Sequence, residues 1–228
     1  MPSSSELPLR DTLLFDLDGT LTDTDALHHE AYRLLLEPFG KAVSLETYKS
    51  RIMGAANEAI MAWLFPDEPL ARHRAFAEEK ERLFRSLAGR MEPLAGLIDL
   101  LAWAESLKIK TAVVTNAPRA NAEMMLAALG LGRRFPVLVI ADELARGKPD
   151  PLPYLTALDR LGAKAEAALA FEDSRSGVQA ASAAGVETIG MMTGLDAETL
   201  RQSGAAATIS DFADPWLRAK LAREFETS

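Results

Sequence analysis

The chain has 228 residues, with 25 Lys+Arg against 33 Asp+Glu for a net charge of −8, and it has no cysteine. An acidic balance without a basic tract excludes a nucleic-acid surface, which must neutralise phosphates; missing thiols exclude a disulfide scaffold, a thiolate zinc site and a cysteine nucleophile. No apolar run reaches the roughly 18 to 20 residues that span a bilayer, and Met1-Pro2-Ser3-Ser4-Ser5 lacks a basic-then-apolar leader, so a non-secreted, cytoplasmic protein without membrane partners is expected.

Thr12-Leu13-Leu14-Phe15 is an apolar run of strand length, stopped by Asp16-Leu17-Asp18-Gly19. From about residue 22 to 91 no strand pattern follows. Helical patterns run instead over 26–39, 45–53, 58–65 and 70–88, with breaks at Pro38/Gly40, Gly54 and Pro66/Pro69. A βα connection takes about 2 to 6 residues, so residues 23–91 are expected to form an inserted helical domain. Beyond it the pattern alternates. A helical stripe over 94–107 (Leu97, Leu100, Leu101, Ala104) precedes a strand at 110–115; Pro118 opens a helix over 120–129 before a strand at 136–140. Asp150-Pro151 starts a helix that runs to Leu161, a strand follows at 167–171, Gly185 closes a helix over 174–184, and a last strand spans 186–190.

Apolar strands without polar alternation belong in a sheet covered on both faces. Strand and helix in repetition mean a parallel sheet with right-handed crossovers. The expected fold is therefore α/β, a Rossmann-like core of residues 1–22 and 92–228 with helices on both faces, carrying the all-helical insertion as a cap. The Ser-rich N-terminus is expected to fray.

In open α/β sheets ligands bind beyond the carboxyl ends of the strands. Those ends carry Asp16 and Asp18, then Thr115 and Asn116, then Lys148, then Glu172 and Asp173. Singly, each has an ordinary reading. Acidic residues form turns and cap helices, Thr115 and Asn116 suit the start of the next helix, and Lys148 suits a solvated loop. Together they put carboxylates, a hydroxyl, an amide and an ammonium at one end of one sheet. Crowded carboxylates repel unless a hard divalent cation sits among them, and Mg²⁺ takes oxygen ligands together with a substrate phosphate; Asp16 and Asp173 are the candidate ligands. Lys148, Thr115 and the backbone N–H groups at the next helix start would hold the phosphate. Asp16 is then placed to attack phosphorus and form an aspartyl-phosphate. Asp18 is placed to protonate the leaving oxygen and later to activate water, and Gly19 permits the turn that brings both carboxylates to the substrate.

The stretches Phe15-Asp16-Leu17-Asp18-Gly19-Thr20-Leu21-Thr22, Thr115-Asn116, Gly147-Lys148-Pro149-Asp150-Pro151 and Phe171-Glu172-Asp173-Ser174-Arg175-Ser176-Gly177 occur in this order over essentially the whole chain. They resemble the motifs of the haloacid dehalogenase-like superfamily, in its branch of helical-cap phosphatases and β-phosphoglucomutases. The resemblance implies a Rossmann-like core, Mg²⁺ and a two-step aspartyl-phosphate mechanism. It implies that Asp16 is nucleophile and metal ligand, that Asp18 is the acid/base whose backbone carbonyl also binds metal, and that Asp173 is a metal carboxylate with Glu172 as a second. Thr115, Asn116 and Lys148 look like the phosphate-binding elements, and Ser174 is expected to cap a helix.

Departures from the family pattern narrow the chemistry. Dehalogenases that work without metal lack a second acid at the Asp18 position. Phosphonoacetaldehyde hydrolases need a cap lysine near a Met-Gly pair, whereas Met53-Gly54 is followed here by Asn57. His28 stands where β-phosphoglucomutases have a hinge histidine that assists the acid/base, although one packed and one solvated side chain is the ordinary reading of His28 and His29. Thr20 fits phosphatases better, and Asn57 replaces the mutase cap arginine. The expected activity is a Mg²⁺-dependent phosphatase for a small phosphorylated metabolite of the phosphoglycolate or sugar-phosphate type. A β-phosphoglucomutase-like phosphotransferase is the alternative; a receiver-type signalling module is disfavoured by the large insertion. Arg51 and Lys80 can reach a second anionic group, with solvated cap cations as their ordinary reading. Residues 22–25 and 90–93 are the expected hinges of a closing cap.

Overall fold

The computed structural model describes residues 9–89 and 91–225; Arg90 of the second expected hinge and the Ser-rich N-terminus lie outside the described residues. Its elements run β1 (Thr12–Phe15), α1 (Asp25–Leu36), α2 (Leu45–Thr47), α3 (Asn57–Leu64), α4 (Leu70–Leu87), α5 (Leu97–Ser106), β2 (Lys110–Thr115) and α6 (Arg119–Ala128). They continue with β3 (Val137–Ile140), α7 (Leu152–Leu161), β4 (Ala168–Glu172), α8 (Arg175–Ala183), β5 (Glu187–Met191), α9 (Ala197–Gln202), β6 (Ala207–Ile209) and α10 (Pro215–Phe225). The strands form one parallel sheet in the order β3-β2-β1-β4-β5-β6. The chain winds outward from β1 through β2 to β3, then returns to place β4 on the other side of β1. That reversal opens a crevice at the carboxyl end of β1.

Both faces of the sheet are covered, which explains the unbroken apolar runs. Leu13, Phe15, Val113, Phe171 and Ile189 share a buried layer with Leu97 and Leu101 of α5, Met125 of α6 and Leu217 of α10. Leu14, Ala112, Val114 and Ala170 point the other way, onto Tyr154 and Ala157 of α7 and Ala181 of α8. Phe15 stands level with Val113 and with Phe171, and its ring stacks on Phe171 with centroids 5.2 Å apart. The next residue, Asp16, therefore leaves the sheet beside Val114 and Glu172, its N–H bonded to the Phe171 carbonyl at 3.0 Å. Ser174 caps α8, as expected, its Oγ accepting from Gly177 N at 3.1 Å.

Between β1 and α5 the described residues are helical or irregular. This insertion has an apolar cluster of its own, including Tyr32, Leu36, Ile60, Met61, Phe65 and Phe76, while Ala31 of α1 and Phe84 of α4 join the layer beneath the sheet. Two expected helices break. The pattern over 26–39 is α-helical only to Leu36 and ends in a 3₁₀ turn over Glu37–Phe39, where Pro38 supplies no N–H. The pattern over 45–53 turns from α to a π-turn at Tyr48–Ile52. No helix among the described residues is long and apolar enough to cross a membrane.

Candidate active site

Lys148 reaches into the crevice from the loop after β3. Its Nζ donates to Asp16 Oδ1 at 2.6 Å, to the Val114 carbonyl at 2.8 Å and to Glu172 Oε1. Burial works against its charge, but the facing Asp16 and Glu172 carboxylates outweigh that cost and hold the ammonium protonated. The carboxyls of Asp16 and Asp173 are pushed well above their usual range, in both cases first by burial. Lys148 opposes the rise at Asp16 while Glu172 adds to it; at Asp173 the repulsion comes mainly from Asp16.

One oxygen from each of Asp16, Glu172 and Asp173 lies within 4.8 Å of the others. Three buried carboxylates against a single ammonium are hard oxygen donors in repulsive proximity, so the residues present fit a hard divalent cation. Gly19, with φ of 73°, backs directly onto Asp173, and a Cβ there would collide with Asp173 Oδ2. The glycine thus lets the loop after β1 lie against the Asp173 carboxylate.

Gly19 and Glu172 stand behind the pocket wall, the latter because its oxygens are turned to protein donors. Besides Lys148, Glu172 takes the Tyr154 hydroxyl at 2.6 Å and Ser174 Oγ at 3.5 Å. Its carboxylate also lies under Gly177, where any Cβ would strike it. Whatever else it does, Glu172 anchors the lysine.

Asp18 is oriented by the start of the helical insertion. Its Oδ1 accepts from Thr24 Oγ1 at 2.8 Å and lies 3.0 Å from His28 Nε2. On the other edge of the ring, Lys80 Nζ is 2.8 Å from His28 Nδ1. An ammonium can only donate, so Nδ1 accepts, Nε2 carries the proton, and His28 donates to Asp18. Burial raises the Asp18 carboxyl, but the His28 and Thr24 hydrogen bonds and the Lys80 charge prevail and hold it below the usual carboxylate range. His28 also stacks on Phe84 with centroids 4.0 Å apart, so it is packed and bonded to Asp18 at once.

Lys80 corrects an expectation. It is not on a solvated face: it is 3% exposed and pairs with Glu81 at 3.1 Å. The inward stripe of α4 is His73, Phe76, Lys80 and Phe84, a helical period that carries the lysine into the packed interior of the insertion. Arg51 remains exposed, its guanidinium 5.3 Å from the Trp63 ring centroid.

Thr115 Oγ1 accepts from Ala117 N at 2.9 Å. Asn116 joins the two parts of the molecule, its Oδ1 3.4 Å from Lys148 N and its Nδ2 donating to the Gly54 carbonyl at 3.2 Å. Both line one pocket with Asp16, Asp18, His28, Lys148 and Asp173. Tyr154, Glu81 and Asn121 also shape the site without a local sequence signal. Tyr154 reads as one more inward aromatic of α7, and Glu81 meets Asn121 across a separation of 40 residues.

Residues 13–191 match the family model of haloacid dehalogenase-like hydrolases. The chain belongs to this family. Among relatives of this haloacid dehalogenase-like hydrolase, the phosphorylated carbohydrates phosphatase of Thermotoga maritima is 36% identical, over 87% of this chain and 94% of its own. The phosphoglycolate phosphatase of Rhodospirillum rubrum is 34% identical over 90% of each chain. A crystal structure of CbbY from Rhodobacter sphaeroides in complex with xylulose-(1,5)-bisphosphate has the same fold, with a TM-score of 0.78 at 27% identity over 90% of this chain and 96% of that one.

Proposed function

We propose that this chain, a phosphoric monoester hydrolase like its relatives, removes phosphate from a small phosphorylated metabolite by covalent catalysis at Asp16. One observation carries the reading: the carboxyl ends of four strands and the loops after them bring Asp16, Thr115, Lys148 and Asp173 into a single pocket where the winding of the sheet reverses. In the first step an Asp16 carboxylate oxygen attacks phosphorus, the ester P–O bond breaks, and Asp18 gives a proton to the leaving oxygen. The arriving phosphate places negative charge beside Asp18, which favours the protonated form this step needs. In the second step Asp18 takes a proton from water, the water oxygen attacks phosphorus, and the Asp16–phosphorus bond breaks to release phosphate. Lys148, fixed by Glu172 and the Val114 carbonyl, keeps its charge beside the transferring group. Asp16, Asp173 and the Asp18 backbone carbonyl would hold Mg²⁺, whose charge offsets the repulsion between carboxylates and phosphate.

On this reading residues 23–91 are a cap that closes on a core of 1–22 and 92–228. Its two connections run side by side, with Leu94 N bonded to the Leu21 carbonyl at 2.9 Å and Thr22 Oγ1 to the Glu92 carbonyl at 2.7 Å, which suits a paired hinge. The His28 contact to Asp18 also supports a second reading, transfer to a sugar hydroxyl. In that case a sugar monophosphate with catalytic bisphosphate would give isomerised sugar rather than free phosphate. The main test is phosphate release from an aryl phosphate with Mg²⁺, with a chelator, and for Asp16→Asn. Turnover in the first alone is expected; equal turnover in all three refutes the mechanism.

A further inference from the structure

Asn57, Lys80, Glu81 and Asn121 line the same pocket as Asp16 and form one hydrogen-bonded wall of it. Glu81 is 5% exposed. Its Oε1 takes Asn57 Nδ2 at 2.9 Å and Lys80 Nζ at 3.1 Å, and its Oε2 takes Asn121 Nδ2 at 2.6 Å. The amide orientation of Asn121 follows from Arg85, whose Nη1 donates to Asn121 Oδ1 at 2.7 Å; a guanidinium only donates, so the Asn121 NH₂ must face Glu81. Glu81 lies three hydrogen bonds from Asp18, through Lys80 and His28, which sets it on the leaving-group side of the acid/base.

The charges of this wall are already satisfied by one another. Lys80 is spent on Glu81 and His28 Nδ1, with its ammonium 5.0 Å from the Tyr32 ring centroid. Lys148, the other lysine of the pocket, is held by Asp16 and Glu172. An incoming second anion would therefore meet a carboxylate and find neither lysine free. A hydroxyl meets the opposite situation, because each carboxylate oxygen offers two lone pairs and Oε2 carries one amide donor. Burial raises the Glu81 carboxyl, yet the Lys80 charge and the Asn57 and Lys80 hydrogen bonds hold it below its usual range, so it stays charged at neutral pH.

We propose that this wall selects a neutral, polyhydroxylated leaving group and rejects one bearing a carboxylate or a second phosphate, with Glu81 as the specificity-determining residue. The inference rests on the phosphatase reading and narrows it to monophosphates of polyols and uncharged sugars. Like charges brought together in a buried site repel strongly, and a site built to bind hydroxyls discriminates through the groups it leaves unpaired.

The test is kcat/KM of the full chain with Mg²⁺ at pH 7 on p-nitrophenyl phosphate, a hexitol monophosphate, an aldohexose monophosphate, phosphoglycolate and fructose 1,6-bisphosphate. The hexitol and aldohexose esters should exceed both anionic substrates by about a hundredfold or more. Glu81→Gln should narrow that ratio at least about tenfold, chiefly through KM of the anionic substrates, and Asn57→Lys, which sets a cation beside Glu81, should narrow it in the same sense. Phosphoglycolate or the bisphosphate turned over as well as the polyol esters, with aryl phosphate hydrolysis intact, overturns the inference and leaves the phosphatase reading standing. A wild-type preference that neither variant alters overturns the role of Glu81. No turnover of any ester, aryl phosphate included, overturns the phosphatase reading and the inference with it.

Discussion

Tyr154→Phe removes one oxygen from a buried ring and leaves its packing in place, so it isolates the support beneath Lys148. The missing hydroxyl donates to Glu172 Oε1 at 2.6 Å, the same oxygen that receives the lysine. Tyr154 and Glu172 are both 0% exposed, so bulk water cannot replace the donor. A hydrogen bond to an ionised group contributes about 1.5–3 kcal/mol. At this chain length each kcal/mol moves the melting temperature by about 2–4 °C, so a loss near 2 kcal/mol lowers Tm by about 4–8 °C. The effect on turnover should be smaller than that of removing the lysine itself. In Tyr154→Phe the ammonium still has Asp16 at 2.6 Å and the Val114 carbonyl at 2.8 Å, so kcat should fall less than about tenfold, against about a hundredfold or more for Lys148→Met. Calorimetric unfolding and steady-state kinetics measure both. A double-mutant cycle with Glu172→Gln should return a coupling of about 1 kcal/mol or more. An unchanged Tm, or no coupling, refutes the claim that Tyr154 holds the Glu172 charge; a collapse in kcat equal to that of Lys148→Met makes the tyrosine part of the chemistry.

Gly54→Ala tests the contact between cap and core: φ at Gly54 is 71°, and a Cβ would lie 2.5 Å from Ser174 Cβ and 2.6 Å from its Oγ. Pushing the cap off the pocket should lower kcat/KM about tenfold or more, and a variant with wild-type kinetics would remove this contact from any account of closure. His28→Ala leaves Asp18 with Thr24 as its side-chain donor and should lower kcat about tenfold with little change in KM; an unaffected kcat would reduce His28 to packing. For Glu81 the folded carboxyl lies below its usual 4.5. Its contribution to stability is therefore complete above that value and lost as pH falls through the lowered folded value. Glu81→Gln should flatten the decline of Tm below about pH 4.5, and parallel declines in both proteins would contradict this.

The strands from β1 to β5 are legible as short apolar runs because the sheet is covered on both faces, and the core side chains of the site are legible because each follows such a run. The last part of the fold is not. β6 is only Ala207–Ile209, too short to separate from a turn by pattern, and α9 and α10 carry weak periodicity beside it. In the cap the difficulty is of another kind. The inward stripe of α4 includes His73 and Lys80, and a stripe containing titratable residues reads as a solvated face until its partners are known. Of the partners of Lys80, Glu81 is simply the next residue of α4, but His28 on α1 is brought in by packing between helices that sequence order does not specify.

The two walls of the pocket differ in their charge balance, and the difference explains how the labour is divided. On the core wall one ammonium faces the carboxylates of Asp16, Glu172 and Asp173, so under the proposed mechanism an arriving phosphate would add to an excess of negative charge that a divalent ion would offset. On the other wall Lys80 and Glu81 neutralise each other, so that wall has little attraction for phosphate and, on the specificity proposed for it, would act on what the phosphate is attached to. Asp18 stands between them. Its carboxylate is oriented by Thr24, at the start of the cap, and by His28 on α1. If the cap swings as proposed, lifting it takes away the group that aims the proton donor, and the open site, wet and accessible, is then the one least able to protonate a leaving oxygen. Exclusion of water and orientation of the acid/base become consequences of the same docking event.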